Sequence, residues 1–225
     1  MTSSEKVDKR PCSVTIAIVD YECGNTGSIA NMLRHLGAEA KVTRDTQELR
    51  SASGIIVPGV GSFDNGVEKL TKFGLDKTLS ILAHTDHKPL LGVCLGAQLM
   101  TKSSEEGNKP GMGWIDATTK RFQFDASERK LPIPHMGWSY VRGVAEDQMC
   151  AGFDDFTKFY FVHSYHFEIQ NEDIALINSH YGYSFPAAFR QGNVIGVQFH
   201  PEKSHRHGMN LMRNFLALCN ECSHV

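Results

Sequence analysis

Two short segments of this chain carry residues that could do covalent chemistry. In Gly92-Val93-Cys94-Leu95-Gly96 a cysteine has a glycine two residues to either side. The apolar run Pro89-Leu-Leu-Gly-Val93 precedes it and the helix-like Ala97-Gln-Leu-Met100 follows, so the order is strand, sharp turn, helix. A nucleophile on such an elbow sits in strained backbone, small neighbours relieve crowding, and the start of a helix favours the thiolate over the thiol. In His200-Pro201-Glu202, proline keeps His200 extended, and residues two apart in extended chain point to the same side, about 6–7 Å apart along it. Imidazole and carboxylate could then work together, the carboxylate fixing the tautomer and stabilising the imidazolium.

Each segment also has a plainer reading. Free cysteine is among the most buried residue types, so Cys94 could be a core thiol, and a loop can carry a His and a Glu without chemistry. A metal site at His200, His205 and His207 is a further rival. No zinc spacing is met there, and Cys219 and Cys222 form a lone Cys-x-x-Cys, so neither metal nor cofactor is expected. The paired glycines with a strand before and a helix after favour the catalytic reading of Cys94.

The elements that would hold these residues follow from the apolar pattern. Val14–Val19 and Gly54–Val57 read as short buried strands, Pro89–Val93 as an apolar strand and Ala40–Thr43 as a second strand candidate. Between them, Ile29, Met32, Leu33 and Leu36 at helical spacing, stopped by Gly37, and the stretches Asn65–Lys72 and Leu75–Ala83 read as helices. Alternating strand and helix predicts a parallel sheet with helices on its faces. Beyond Gly111 the signal becomes strand-like: Lys120–Phe122, Phe159–Val162, Ala175–Ile177, Ala187–Phe189 and Val194–Gln198, which predicts an antiparallel or mixed extension of the sheet. A helix near Gly208–Leu218 closes the chain, with Leu211, Met212, Phe215 and Leu218 on one face.

The whole chain sets bounds on what these segments can do. Its 225 residues suit one domain, expected over residues 13–220, after a polar segment, residues 1–12, expected to be a disordered tail. With 41% hydrophobic and 21% charged residues and a net charge of -2, there is no basic field for nucleic acid. The start does not resemble a signal peptide, and no apolar run approaches the roughly 20 residues of a membrane span. Six cysteines scattered through a chain this large read as reduced thiols, and a cytoplasmic location is expected.

Pro58-Gly-Val-Gly61, Gly92-Val-Cys-Leu-Gly-Ala-Gln98 and His200-Pro-Glu202 together resemble the signature of class I, triad-type glutamine amidotransferases. Pro134-His-Met-Gly-Trp138, Tyr160-Phe-Val-His-Ser-Tyr165 and Gln198–Ser204 are similar to one branch, the glutaminase subunits of imidazole glycerol phosphate synthases. The resemblance runs from about Val14 to Leu218. It implies a flavodoxin-like α/β fold that hydrolyses L-glutamine and passes ammonia to a (β/α)8-barrel cyclase partner in a heterodimer, which makes imidazole glycerol phosphate and AICAR in histidine biosynthesis. Cys94 would then be the nucleophile, His200 the acid and base, and Glu202 its orienting partner. The resemblance further implies an oxyanion hole from the backbone of Leu95, Gly59 and Val60, and substrate contacts at Gly61, Gln98, His163 and Ser164. By the same likeness Asn25, Trp138, Tyr160 and Lys203 would face the partner. Glu105-Glu106-Gly107 matches as well but reads equally as a solvated helix end.

One departure stands out. After Asp20-Tyr21 the family usually has glycine, whereas this chain has Glu22-Cys23, which strains or reshapes the loop if that glycine serves a positive φ. Other readings stay open at this level: a related glutaminase supplying ammonia for amidino sugars of surface polysaccharides, a non-catalytic binding subunit, or a stand-alone hydrolase such as a γ-glutamyl peptidase.

Overall fold

A computed structural model describes residues 14–124 and 131–222, so the tail expected over residues 1–12 lies outside the described residues. Its elements are β1 (Thr15–Val19), α1 (Thr26–His35), β2 (Glu39–Thr43), α2 (Thr46–Ser51), β3 (Gly54–Val57), α3 (Phe63–Lys72), α4 (Leu75–His84), β4 (Leu90–Val93) and α5 (Leu95–Gln98). The second half comprises β5 (Ala117–Arg121), β6 (His135–Gly143), β7 (Lys158–His163), β8 (Tyr165–Ile169), β9 (Ala175–Tyr181), β10 (Tyr183–Gln191), β11 (Val194–Val197) and α6 (His205–Cys222).

One nine-stranded sheet has the order β2-β1-β3-β4-β11-β10-β9-β6-β7, and β5 pairs with β8 apart from it. The first five strands are parallel, in the flavodoxin-like order with β11 as the fifth strand. The rest, β10, β9, β6 and β7, continue antiparallel. This is the expected α/β architecture, with a refinement: β11 belongs to the parallel half because Val194–Val197 pairs in parallel register with Leu90–Val93.

The inner parallel strands β1, β3, β4 and β11 are apolar on both sides because both faces are covered, whereas the edge strand β2 is largely exposed. Ile16, Ile18, Ile56, Leu91 and Val93 pack with Leu33 of α1 and with Leu211 and Phe215 of α6. Ala17, Val19, Ile55, Val57 and Leu90 pack with Leu70 of α3 and with Leu75, Leu79 and Leu82 of α4. Complete burial of one large aliphatic or aromatic side chain is worth about 1.5–3 kcal/mol, so these two layers fix the register of the strands and where their ends lie. β3, β4 and β11 all end on one edge, at Val57, Val93 and Val197. The segments that could do chemistry leave from those three ends, the usual place for a ligand in an open α/β sheet.

One expected piece differs in detail, and two elements are new. The helix after Cys94 is a single turn, Leu95–Gln98, so its dipole is small. α2, capped by the Asp45 carboxylate on the N–H groups of Gln47 and Glu48, and the long strand β6 were not expected. β6 was hidden because its alternation is inverted: the large apolar Met136, Trp138 and Tyr140 face outward, while His135, Gly137 and Ser139 face the protein.

The Glu22 departure does put a side chain in the left-handed region, at φ 62. The loop is held regardless: Lys69 Nζ donates to the Glu22 carbonyl at 2.8 Å, and the Glu22 carboxylate lies 3.7 Å from Arg44 and 3.9 Å from Lys69. Left-handed backbone costs a side chain about 1–2 kcal/mol, and exposed ion pairs return at most about 1 kcal/mol. Glu22→Gly is therefore expected to unfold at a denaturant midpoint equal to or above wild type. Glu22→Ala keeps the strain and loses the ion pairs, and should fall about 1 kcal/mol below Glu22→Gly. Equal midpoints for the two variants would show that the loop is unstrained.

Candidate active site

Cys94 stands at the end of β4 with φ 53 and ψ -113, a conformation that side chains rarely adopt. The flanking glycines are sterically required there. A Cβ on Gly92 would lie 2.6 Å from Ala97 Cα, and one on Gly96 would lie 1.9 Å from the Val57 carbonyl oxygen. Gly59, after β3, packs against the same turn, where an added Cβ would come within 2.4 Å of the Gly96 nitrogen. Tyr21, fully buried, donates its hydroxyl to the Pro58 carbonyl and holds that loop in place. The elbow and the Pro58–Gly61 loop thus meet backbone to backbone.

The third strand end brings His200. Its N–H donates to the Tyr160 carbonyl at 2.9 Å, and Ser204 Oγ accepts from Tyr160 N–H while donating to the His200 carbonyl. His200 Nδ1 donates to Glu202 Oε1 at 2.8 Å, and both side chains are almost wholly buried. This contact is closed by a 3-10 turn over Pro201–Lys203 rather than by continued extended chain. With Nδ1 committed to Glu202, Nε2 is the nitrogen left for Cys94, which lines the same cavity. Burial pulls the imidazole pKa down. The hydrogen bonds and charges of Cys94 and Glu202 outweigh it and raise His200 to about 9, so the imidazolium persists at neutral pH. Glu202 Oε2 has no hydrogen-bond partner among the described residues.

Around Cys94 and His200 lies a cavity of about 340 Å³, also lined by Val60, Gly61, Leu95, Gln98, Glu106, Pro134, Val162, His163, Ser164 and Tyr165. A hollow of about 510 Å³ between α3 and α4 is larger, but neither cysteine nor histidine lines it. The sequence-expected residues Leu95, Val60, Gly61, Gln98, His163 and Ser164 therefore surround the thiol, and Gly59 supports it from below. His163 is neutral, and its tautomer is set by its neighbours. Its Nδ1–H donates to the Tyr165 carbonyl at 2.6 Å, so its Nε2 accepts from His135 Nδ1–H at 2.9 Å, and His135 Nε2 accepts from Ser139 Oγ at 2.8 Å. Burial chiefly, with the nearby imidazoles, lowers His163 to about 3, and burial lowers His135 to about 4.

Three residues at the site were missed from sequence. Glu106 is on a loop, not a helix end: its Oε2 accepts from the Phe63 N–H at the start of α3 at 2.7 Å, and the side chain lines the cavity. Glu105 instead accepts from Arg121 N–H at 2.8 Å, away from the thiol. His135 is the register partner of His163 across β6 and β7, visible only once those strands pair. Gln198, fully buried, reaches Cys94 Sγ with its Nε2 at 3.6 Å. It lies two residues before His200, but its approach to Cys94 exists only once β11 pairs with β4.

The residues expected at a partner surface lie outside the cavity. Trp138 is 41% exposed and stacks on His205 at 5.5 Å, and Lys203 Nζ lies 5.7 Å over the Tyr160 ring. Asn25 is exposed and caps α1, accepting from Ser28 N–H at 3.2 Å. His205 and His207 are drawn to the Trp138 and Phe159 rings, away from His200. Among the described residues, no three His, Cys, Asp or Glu side chains are grouped so as to hold a metal ion.

A cysteine on a strained elbow beside a buried His–Glu pair, on a flavodoxin-like sheet, is the arrangement that cysteine-dependent acyl transfer requires, and comparison with known proteins gives the family of the chain. The model of class-I glutamine amidotransferases matches residues 17–219, and the chain belongs to that family. A solved structure described as a glutamine amidotransferase shares the fold, with a TM-score of 0.70 at 23% identity over 92% of this chain and all of the other. Within the family the chain groups with the glutaminase subunits of imidazole glycerol phosphate synthase. It is 43% identical to the Pseudomonas aeruginosa protein named imidazole glycerol phosphate synthase subunit HisH 2, over 90% of this chain and 99% of that one. It is 41% identical to the Leptospira interrogans subunit HisH, over 90% and 100%.

Proposed function

We propose that the chain hydrolyses L-glutamine at the Cys94 cavity and delivers the ammonia to a (β/α)8-barrel synthase subunit docked on its Trp138 face, in the cytoplasmic synthesis of imidazole glycerol phosphate. The observation that carries this reading is His200, hydrogen-bonded to the buried Glu202 and sharing with Cys94 the lining of a cavity of glutamine size. Cys94 attacks the side-chain amide carbon, and the oxyanion is met by backbone N–H groups of Leu95 and the Gly59–Val60 loop. The His200 imidazolium gives its Nε2 proton to the departing nitrogen, releasing ammonia and leaving a thioester. His200 then takes a proton from water, the hydroxide adds to the thioester, and glutamate leaves as the thiol reforms. Gln98 and the Gly61, His163 and Ser164 backbone hold the α-carboxylate side of the substrate. The Glu106 carboxylate supplies the countercharge for its α-ammonium.

Docking on the β6 and β7 face fits the exposed Met136, Trp138 and Tyr140, with Lys203 beside Tyr160 as a cationic anchor. Tyr160 also holds His200 through its carbonyl, so contact at that face bears on the base. Measured alone, the chain should hydrolyse glutamine slowly, and the synthase subunit loaded with its ligand should raise the rate. Trp138→Ala should weaken the complex by about tenfold or more in Kd, with little change in the uncoupled rate. Efficient turnover without a partner would instead mark a stand-alone hydrolase.

A further inference from the structure

The most buried polar side chain at the site has no part in the reaction as written. Gln198 follows β11 directly, is 0% exposed, and is anchored by its N–H to the Ala187 carbonyl at 2.8 Å. Its amide lies between two groups that fix its direction. Gln98 Nε2 donates to Gln198 Oε1 at 2.9 Å, which uses the acceptor end and turns the donor end, Nε2, toward Cys94 Sγ at 3.6 Å. A buried N–H aimed at sulfur is satisfied well by a thiolate and poorly by a thiol, and leaving it unmet costs free energy. The one-turn helix α5 adds little dipole to favour the anion. We propose that Gln198 is a catalytic side chain that stabilises the Cys94 thiolate through its amide N–H, with Gln98 as the positioning residue that sets the direction of that amide.

The inference deepens the glutaminase reading and rests on it for its link to substrate. The Gln98 amide has two N–H groups, one spent on Gln198, and its side chain lines the cavity. A substrate carboxylate that takes the second fixes Gln98, and through it the donor facing sulfur. Glutamine binding and nucleophile activation then share one hydrogen-bond chain, and His200 approaches the sulfur as a separate partner.

The test is alkylation of Cys94 by iodoacetamide in the full chain, located by peptide mass and followed at pH 7 and pH 10 for wild type, Gln198→Met and Gln98→Met. Methionine keeps length and burial but removes the donor. Gln198→Met should react about tenfold more slowly at pH 7 and within about twofold of wild type at pH 10, where a thiolate forms without help. Gln98→Met should show a loss of about threefold at pH 7. An unchanged pH 7 rate in Gln198→Met, or equal losses at both pH values, overturns the proposal. If the variants do not fold, the side-chain N–H resonances of Gln198 in the wild-type protein decide. One should move downfield as Cys94 ionises and lose that response in Cys94→Ala, and a Gln198 amide indifferent to Cys94 refutes it. Because alkylation reads the thiolate whatever the substrate, wild-type chain that alkylates as described yet releases no ammonia from glutamine with the loaded synthase subunit present would sink the glutaminase reading alone.

Discussion

Cys94→Ala is expected to reduce ammonia release from glutamine by about 10⁴-fold or more while the chain still folds and binds its synthase. The size follows from the absence of a substitute nucleophile among the described residues. Cys23 is buried and its thiol raised, chiefly by burial, and burial lifts Cys150 to about 12 and Cys219 well beyond the thiol range. Cys222 is exposed, at the far end of α6. An electrophilic diazoketone analogue of glutamine should therefore label Cys94 and no other cysteine. Measurable turnover by Cys94→Ala, or the label on another thiol, would end the assignment. Stability moves independently of activity. Alanine keeps the strained φ of 53 that the elbow imposes, whereas Cys94→Gly releases it, so the inactive glycine variant should be more stable than the inactive alanine variant by about 1 kcal/mol.

Features set by local sequence were legible, and those set by contact across the chain were not. Gly54–Val57 reads as a strand from four residues because an apolar run covered on both faces needs no partner to be recognised. The elbow is legible through Gly92 and Gly96, since the steric demand falls within two residues of Cys94. His200 and Glu202 were paired correctly for a partly mistaken reason: the extended spacing put them on one side, and a 3-10 turn then closed the gap. Glu106, by contrast, acquires its place from an N–H 43 residues earlier, at the start of α3. Gln198 meets Cys94 across 104 residues, through the parallel pairing of β11 with β4. His135 looks like a motif residue until β6 lies against β7 and sets it opposite His163. Chain entropy hides such contacts from any local pattern, because they exist only after the sheet has formed.

Glu202→Gln should lower glutamine hydrolysis by about 10³- to 10⁴-fold, measured with the synthase and its ligand present, without displacing His200. The carboxylate accepts the His200 Nδ1–H at 2.8 Å and so directs Nε2 to the thiol. An amide at that place can present its N–H₂ to Nδ1 instead, which selects the tautomer with hydrogen on Nε2 and leaves a neutral ring that cannot take a proton there. The carboxylate also supports charge: together with Cys94 it raises His200 to about 9 against the effect of burial. Wild-type hydrolysis should therefore hold through neutral pH and fall with a midpoint near 9, as the imidazolium that protonates the leaving nitrogen is lost. The same sign governs stability. A histidine raised above 6.5 in the fold contributes fully below about pH 6.5, and that contribution is lost as pH rises through 9. In Glu202→Gln the residual activity should lose its alkaline limb at lower pH, by one unit or more, because one of the two supports of the imidazolium has gone. A limb that stays near 9 in the variant would mean that Cys94 alone holds the proton on His200, and that Glu202 acts only by orienting the ring.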